Sequence, residues 1–261
     1  MNRRPLRGSE RALAGLIGLA VFFGLWELLV RSLHIRPFVL RAPSQALHDI
    51  WEAPRFYWTQ ALTTGREALV GFLIALVIAV LWGAAMAASN ILDAASTPVL
   101  VLVMVTPFAT YAPSAVLWLG AGWRPIEFII ALACLPAFVI AAADGMRSAD
   151  SASRELLRSV DASRWEVLWR LRLPAALPSL FTAARWNIGL SLVIAYLVEG
   201  YALVTRGLGA WGKRYASFNN ANGVWAVVFC MAALGVVGML ALATLRSRVL
   251  HWHASERRPA A

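Results

Sequence analysis

The chain has 261 residues, 60% of them hydrophobic and only 15% charged, with a mean hydropathy of +0.65. That is too apolar for an ordinary soluble domain and predicts an all-α, polytopic membrane helix bundle. A net charge of +10 and a pI near 10.9 raise nucleic acid as a partner, but the arginines sit at the edges of apolar runs and no nucleic-acid-binding motif accompanies them, so membrane topology accounts for them better.

Residues 1–11 carry Arg3, Arg4, Arg7 and Arg11, and an apolar run from Ala12 to Val30 follows. The run is long enough to span and no small-x-small cleavage site comes after it, so it reads as a retained first helix rather than a signal peptide. Glu27, near its far end, reads as a carboxylate at the interface or against a neighbouring helix, ahead of a substrate or proton role. Between Arg31 and Arg66 the chain is mixed. There Ala42-Pro43-Ser44, followed by Ala46-Leu47-x-x-Ile50-Trp51, predicts a turn and a short amphipathic helix. Trp51, Phe56, Tyr57 and Trp58 suit a membrane interface better than an aromatic ligand cage.

Ala68–Ala88 and Pro98–Gly122 are free of charge and predict helices two and three. The third contains Pro107 and Pro113 among Thr106, Thr110, Tyr111 and Ser114. Breaks of this kind are tolerated in a bilayer only where the freed backbone groups find internal partners. The pattern therefore predicts a broken or kinked helix, either beside a translocation path or serving packing alone. Helix four is expected from Pro125 to Ala143, with Glu127 at its start and Pro136 inside.

Next comes a strongly charged, helix-prone island, 147–172, the one large polar block in the interior. It predicts two short helices, one through Ser153–Val160 and one starting at Ser163, where Ser163 and Glu166 form a capping box. Leu173-Pro174 and Pro178 are expected to end this block, because proline disfavours helical geometry in the residue before it. Helix five is expected from Pro178 to Val198, with Arg185 and Asn187 in its early turns and Glu199-Gly200 at its end. Helix six is Val224–Leu245, and the tail carries Arg246, Arg248, Arg257 and Arg258. All 261 residues read as one transmembrane domain with its core in 60–250.

Six spans place the amino terminus, the island and the carboxyl tail on one side. Four arginines before helix one, six in 147–172 and four in the tail stand against nine basic residues in the opposite loops, which predicts that this side is cytoplasmic. Cys134 and Cys230 lie inside apolar segments and read as small core residues, supporting neither a disulfide framework nor a metal site. His34, His48, His251 and His253 are scattered in polar or interfacial stretches, so no metal is expected. No phosphate-cradling Gly-x-x-x-x-Gly-Lys-Ser/Thr and no catalytic triad or dinucleotide motif occurs, so neither an enzyme nor a cofactor is expected.

The island carries a family resemblance. Glu155-Leu156-Leu157, then Asp161-Ala162-Ser163, then Leu173-Pro174-Ala175-Ala176-Leu177-Pro178 resemble the EAA loop of permease subunits of bacterial ATP-binding-cassette importers. Two departures show: the usual Ala-Ala after the Glu is Leu156-Leu157, and the usual Gly is Asp161. The Pro43-Ser44 stretch, Thr106-Pro107 through Pro113, Leu119-Gly120-Ala121-Gly122, and Glu199 followed by Gly207-Leu208-Gly209 match the nitrate, sulfonate and taurine type in order. The resemblance implies that 147–172 is a cytoplasmic coupling loop docking on a separate ATPase subunit that binds the ATP. It also implies a second permease copy, a solute-binding protein and an inner-membrane location.

The remaining candidates for the pathway or a gate are Arg185 and Glu199. Arg185 would lie about two turns into helix five, roughly 10–12 Å along it at about 1.5 Å per residue, so that its guanidinium can snorkel to the cytoplasmic interface. Anchoring or pairing comes ahead of substrate contact for it. Glu199 is expected near the outer mouth, as a gate or as a structural partner of helix six or of the 206–222 loop. The rival reading is a self-sufficient carrier or channel. Charge-free helices two, three and six disfavour ion coupling but leave a neutral pore open.

Overall fold

The structure, a computed structural model, describes residues 8–36, 39–202 and 204–251. The arginines of 1–7, Arg257, Arg258 and His253 lie outside the described residues, as do the side chains of Arg11 and Ala12. Among the described residues the chain is helical, with α1 (Gly8–Ser32), α2 (Pro43–Glu52), α3 (Pro54–Ala88), α4 (Asn90–Val105), α5 (Ala112–Leu119) and α6 (Trp123–Arg147). These are followed by α7 (Ser151–Ser159), α8 (Arg164–Val167), α9 (Leu173–Glu199), α10 (Leu208–Ser217) and α11 (Ala221–Val249). Among the described residues five helices are long and apolar enough to cross a membrane, and the bent pair α4 and α5, counted as one span, brings the number to six.

The centre of the bundle is α6, packed between α3 and α9. It is the most buried span because glycine lets the backbones close up. Gly71 and Gly83 of α3 face Ile130 and Ala142 of α6, and Gly145 of α6 faces Ala176 of α9, at separations that leave no room for a side chain. Phe72 and Phe138 meet edge to face at 5.0 Å in this core. Asn187 of α9, also buried, donates through Nδ2 to the carbonyl of Cys134 at 3.1 Å. Such a bond inside a bilayer contributes about 0.6 kcal/mol on average. Both cysteines are free and buried.

α1 lies at the periphery. Its Phe23 and Trp26 pack on Phe229 and Trp225 of α11. Glu27 ties it to α2, accepting from Arg31 at 2.6 Å and from the Ser44 amide and hydroxyl at 3.1 and 2.6 Å. The carboxylate therefore anchors a neighbouring helix.

Three expectations are corrected. The second span begins at Pro54, not Ala68, so Arg66 and Glu67 belong to it and it is not charge-free. The third begins at Asn90, not Pro98, and so takes in Asp93, while its expected break is present as a bend of 81° between α4 and α5. Leu173-Pro174 and Pro178 do not end a helix: α8 runs through a π-helical turn, Leu168–Arg172, straight into α9. In that turn the Leu173 amide donates to the carbonyl of Leu168, five residues back. The widened turn leaves room for the Pro174 ring, which would otherwise strike the preceding turn.

Candidate functional site

At one end of the bundle the island folds as a helical hairpin. Asp150 caps α7, its carboxylate accepting from the Ser153 amide at 2.9 Å and hydroxyl at 2.8 Å. These bonds hold the carboxyl below its ordinary pKa. The helix closes with the Ala162 amide on the Leu157 carbonyl at 3.0 Å, and Asp161 takes φ 50°. This is the left-handed conformation that the family's glycine reaches without strain and that aspartate tolerates better than most residues. Ser163 then caps α8: the Glu166 amide donates to Ser163 Oγ at 3.2 Å while the Ser163 amide donates to Glu166 Oε2 at 2.9 Å.

The hairpin presents Glu155 to solvent without a hydrogen bond or ion pair among the described residues, beside Leu156, which is 67% exposed. Trp165, 69% exposed, and Val160 extend this apolar surface, while Leu157, Ala162, Leu173 and Pro174 are half-buried. Two arginines fasten the hairpin's roots. Arg147, at the end of α6, pairs with Asp93 at 2.6 Å and donates to the Met86 carbonyl at 3.1 Å. Arg172, in the π turn, donates to the Ala87 carbonyl at 3.4 Å. Both therefore cap the C-terminus of α3, where carbonyls lack helical partners and the dipole favours cations. Neither was among the candidates named from sequence, because a lone arginine at a helix end carries no signal of which carbonyl it will reach.

In the middle, the α4–α5 break falls at Thr106 and Pro107, both with extended ψ of 122°. Thr106 Oγ1 donates to Leu102 O at 2.8 Å and Thr110 Oγ1 to Pro107 O at 2.7 Å, so the interrupted backbone finds local partners. The break borders an apolar cavity of about 260 Å³ lined by Thr106, Pro107, Phe108, Tyr111, Ile129 and Leu190. Pro113 does not line it; it sits in the first turn of α5, where a missing N–H is harmless. Arg185 and Glu199 do not reach this cavity either. Arg185 is exposed and has no partner among the described residues. Because α9 begins at Leu173, it lies about 18 Å along the helix, deeper than the two turns expected.

At the opposite end Glu199 is 1% exposed, and Oε2 accepts from the Gly209 amide at 2.5 Å. Gly207, at φ 104°, packs on the Glu199 carboxylate, and Gly209 packs on the Tyr196 carbonyl. Across from them Gln60 Oε1 accepts from the Gly207 amide and Thr64 Oγ1 from the Leu208 amide, each at 2.8 Å. Gln60, Thr64 and the buried Glu67 share one face of α3, a polar stripe at helical spacing that was legible in the sequence. A helix read from the charge-free run alone begins at Ala68 and leaves this stripe outside it. Glu199 thus holds the loop that opens α10.

On α2, ligand atoms of His48, Asp49 and Glu52 lie within 4.8 Å of one another, but His48 and Glu52 are exposed and Asp49 is already paired with Arg41 at 3.1 Å.

A bundle of apolar spans with a charged, capped hairpin at one end and a glycine loop clamped at the other is the architecture of a polytopic helical membrane protein. Residues 71–251 match the family described as binding-protein-dependent transport system inner membrane component, and the chain belongs to that family. It is 29% identical to the taurine transport permease of Escherichia coli over 90% of this chain and 88% of that one. It is 30% identical to the riboflavin transport permease of Chloroflexus aurantiacus over 97% of this chain and 95% of that one. Its fold resembles a chain of a methionine ABC transporter in an inward-facing conformation, with a TM-score of 0.61 at 20% identity, covering 77% of this chain and 97% of that one. The protein is a permease subunit of an ATP-binding-cassette importer.

Proposed function

We propose that this permease works as a homodimer in the inner membrane, with both termini and α7 in the cytoplasm. In this reading a separate ATPase subunit binds ATP and docks on α7 and α8, and a solute-binding protein delivers the substrate at the α10 end. The substrate class is a small anion, such as nitrate or a sulfonate, or a vitamin-precursor-like heterocycle. The names of relatives support that range: taurine, riboflavin and, at 25% identity, formylaminopyrimidine. Thr106 and Pro107, at the break, are the pathway candidates that border a cavity, and Arg185 is the charged one.

One observation carries the coupling role. Glu155 has no hydrogen bond or ion pair among the described residues and stands beside exposed Leu156, and the hairpin that presents it is rooted by Arg147 and Arg172 on the end of α3. A carboxylate there can pair with a partner's arginine while Leu156 and Trp165 bury against it.

Two measurements test this reading. A tagged permease should co-purify with an ATPase, and Glu155→Lys should abolish stimulated ATP hydrolysis and transport in the reconstituted complex without unfolding the permease. Full transport by that variant, with the ATPase bound at normal affinity, removes Glu155 as a coupling contact. For sidedness, a cysteine at Ser159 should label from the cytoplasm and one at Asn220 from outside; the opposite pattern inverts the topology.

A further inference from the structure

A second cavity, about 610 Å³, opens at the end of the bundle opposite α7. It is walled by the first turns of α3, the start of α6 and the loop before Gly207, and its volume is that of a site for a small organic molecule. Its chemistry is set by two guanidinium groups. Arg206 is exposed and has no hydrogen bond or ion pair among the described residues. Arg66 lies over the Trp123 ring at 5.9 Å from its centroid and forms an ion pair with the buried Glu127 at 3.7 Å, too long for a hydrogen bond, so its N–H groups still face the cavity without an acceptor among the described residues. Thr59 and Thr63 also line the cavity, but their hydroxyls donate to the carbonyls of Arg55 and Thr59. Glu67, the one acid in the wall, is 4% exposed and so presents almost no surface to an occupant.

The cationic donors are therefore the two arginines, with the Thr205 hydroxyl and the Trp123 indole N–H beside them in the wall, and the planar forks of the guanidinium groups suit the oxygens of an oxyanion. The indole beside them offers an apolar wall to the body of such a molecule. We propose that this cavity is a docking site on the permease itself for a small organic oxyanion on its way into the pathway, with Arg206 and Arg66 as the groups that select its charge. The loop that supplies Arg206 runs directly into Gly207, so an occupant held by Arg206 sits against the segment clamped by Glu199. The direction of travel rests on the importer reading; the binding itself does not.

The test uses the full-length permease in phosphatidylcholine nanodiscs and ligand-observed fluorine NMR with 4-(trifluoromethyl)benzenesulfonate. The expected result is saturable binding, at least tenfold weaker in Arg206→Gln and in Arg66→Gln and absent for the ammonium isostere 4-(trifluoromethyl)benzylammonium. Arg206 is exposed in a turn, so its variant should melt as the parent does and remains informative even if Arg66→Gln fails to fold. Equal affinity in Arg206→Gln, or equal binding of the ammonium isostere, overturns the site. Displacement of the sulfonate when phosphatidylglycerol replaces half of the lipid identifies a lipid headgroup site and overturns the role in solute docking. Capture of an ATPase concerns the other end of the bundle, so the two proposals fail independently.

Discussion

Arg147 Nη2 lies 2.6 Å from the Asp93 carboxylate, so the end of α6 is fastened to the first turn of α4. The same nitrogen reaches the Met86 carbonyl at 3.1 Å, and one guanidinium thus holds the corner where α3 turns into α4. With both side chains about one-third exposed, the pair contributes on the order of 1 kcal/mol or less, too little to decide folding. Its effect should show in coupling. Arg147→Ala is expected to leave the melting temperature within a few degrees of the parent while lowering stimulated ATP hydrolysis several-fold in the reconstituted complex. A double-mutant cycle with Asp93→Ala should show non-additivity; strictly additive losses would mean that the two act separately.

Gly207 combines a positive φ with direct contact on the Glu199 carboxylate. Gly207→Ala should therefore lower stability by about 1–3 kcal/mol, the usual cost of strained backbone with a steric clash. A thermal melt in detergent measures it. Ala at Gly189, which faces open space, is the matched control and should be close to neutral.

Asp161 at φ 50° predicts a contrast between substitutions. Asp161→Gly should be neutral or mildly stabilising, because glycine reaches this region freely. Asp161→Val should cost about 1–2 kcal/mol and loosen the turn between α7 and α8. Limited proteolysis in the hairpin, compared between the two variants, reads the difference.

Pro107 imposes extended geometry on Thr106, since the residue before proline is pushed out of the helical region. Pro107→Ala releases that constraint. Spin labels at Ala94 and Leu117 should then move apart as the 81° bend opens, with reduced uptake. Pro113→Ala should leave both unchanged, because Pro113 only starts α5. An unaltered label distance and uptake in Pro107→Ala would return this proline to a packing role.

The cap on α7 titrates. Hydrogen bonds from Ser153 lower the Asp150 pKa in the folded chain, so their stabilisation is complete above the unfolded value, about 3.9, and is lost as pH falls through the folded one. Amides of α7 should stay ordered at neutral pH and loosen only below about pH 4. Asp150→Asn keeps an acceptor and should remove that acid step, which carbon-13 NMR of the hairpin can follow.

Much of this architecture was legible from periodicity and caps. The capping box at Ser163 and Glu166 was visible because it is local, needing only four residues and no tertiary partner. The break at Thr106-Pro107 was visible because proline acts on its own backbone. What escaped notice depended on distance in sequence. The partners of Gln60 and Thr64, the Gly207 and Leu208 amides, lie more than a hundred residues away, and Arg172 meets Ala87 across 85 residues. The run-through at Pro174 was misjudged for another reason: a π turn absorbs the ring, and propensity arguments assume the regular helix it would have broken.

That run-through makes Arg164–Glu199 one continuous rod of 36 residues, about 54 Å long at 1.5 Å per residue. Trp165 stands at one tip and Glu199, gripping Gly209, at the other. Such a rod behaves as a lever: a tilt of about 5° around its midpoint shifts each tip by about 2 Å, from the same length. That is comparable to the span of a single hydrogen bond, so under the proposed coupling role of the hairpin a rigid tilt of this size would be enough to separate the Glu199 carboxylate from the Gly209 amide.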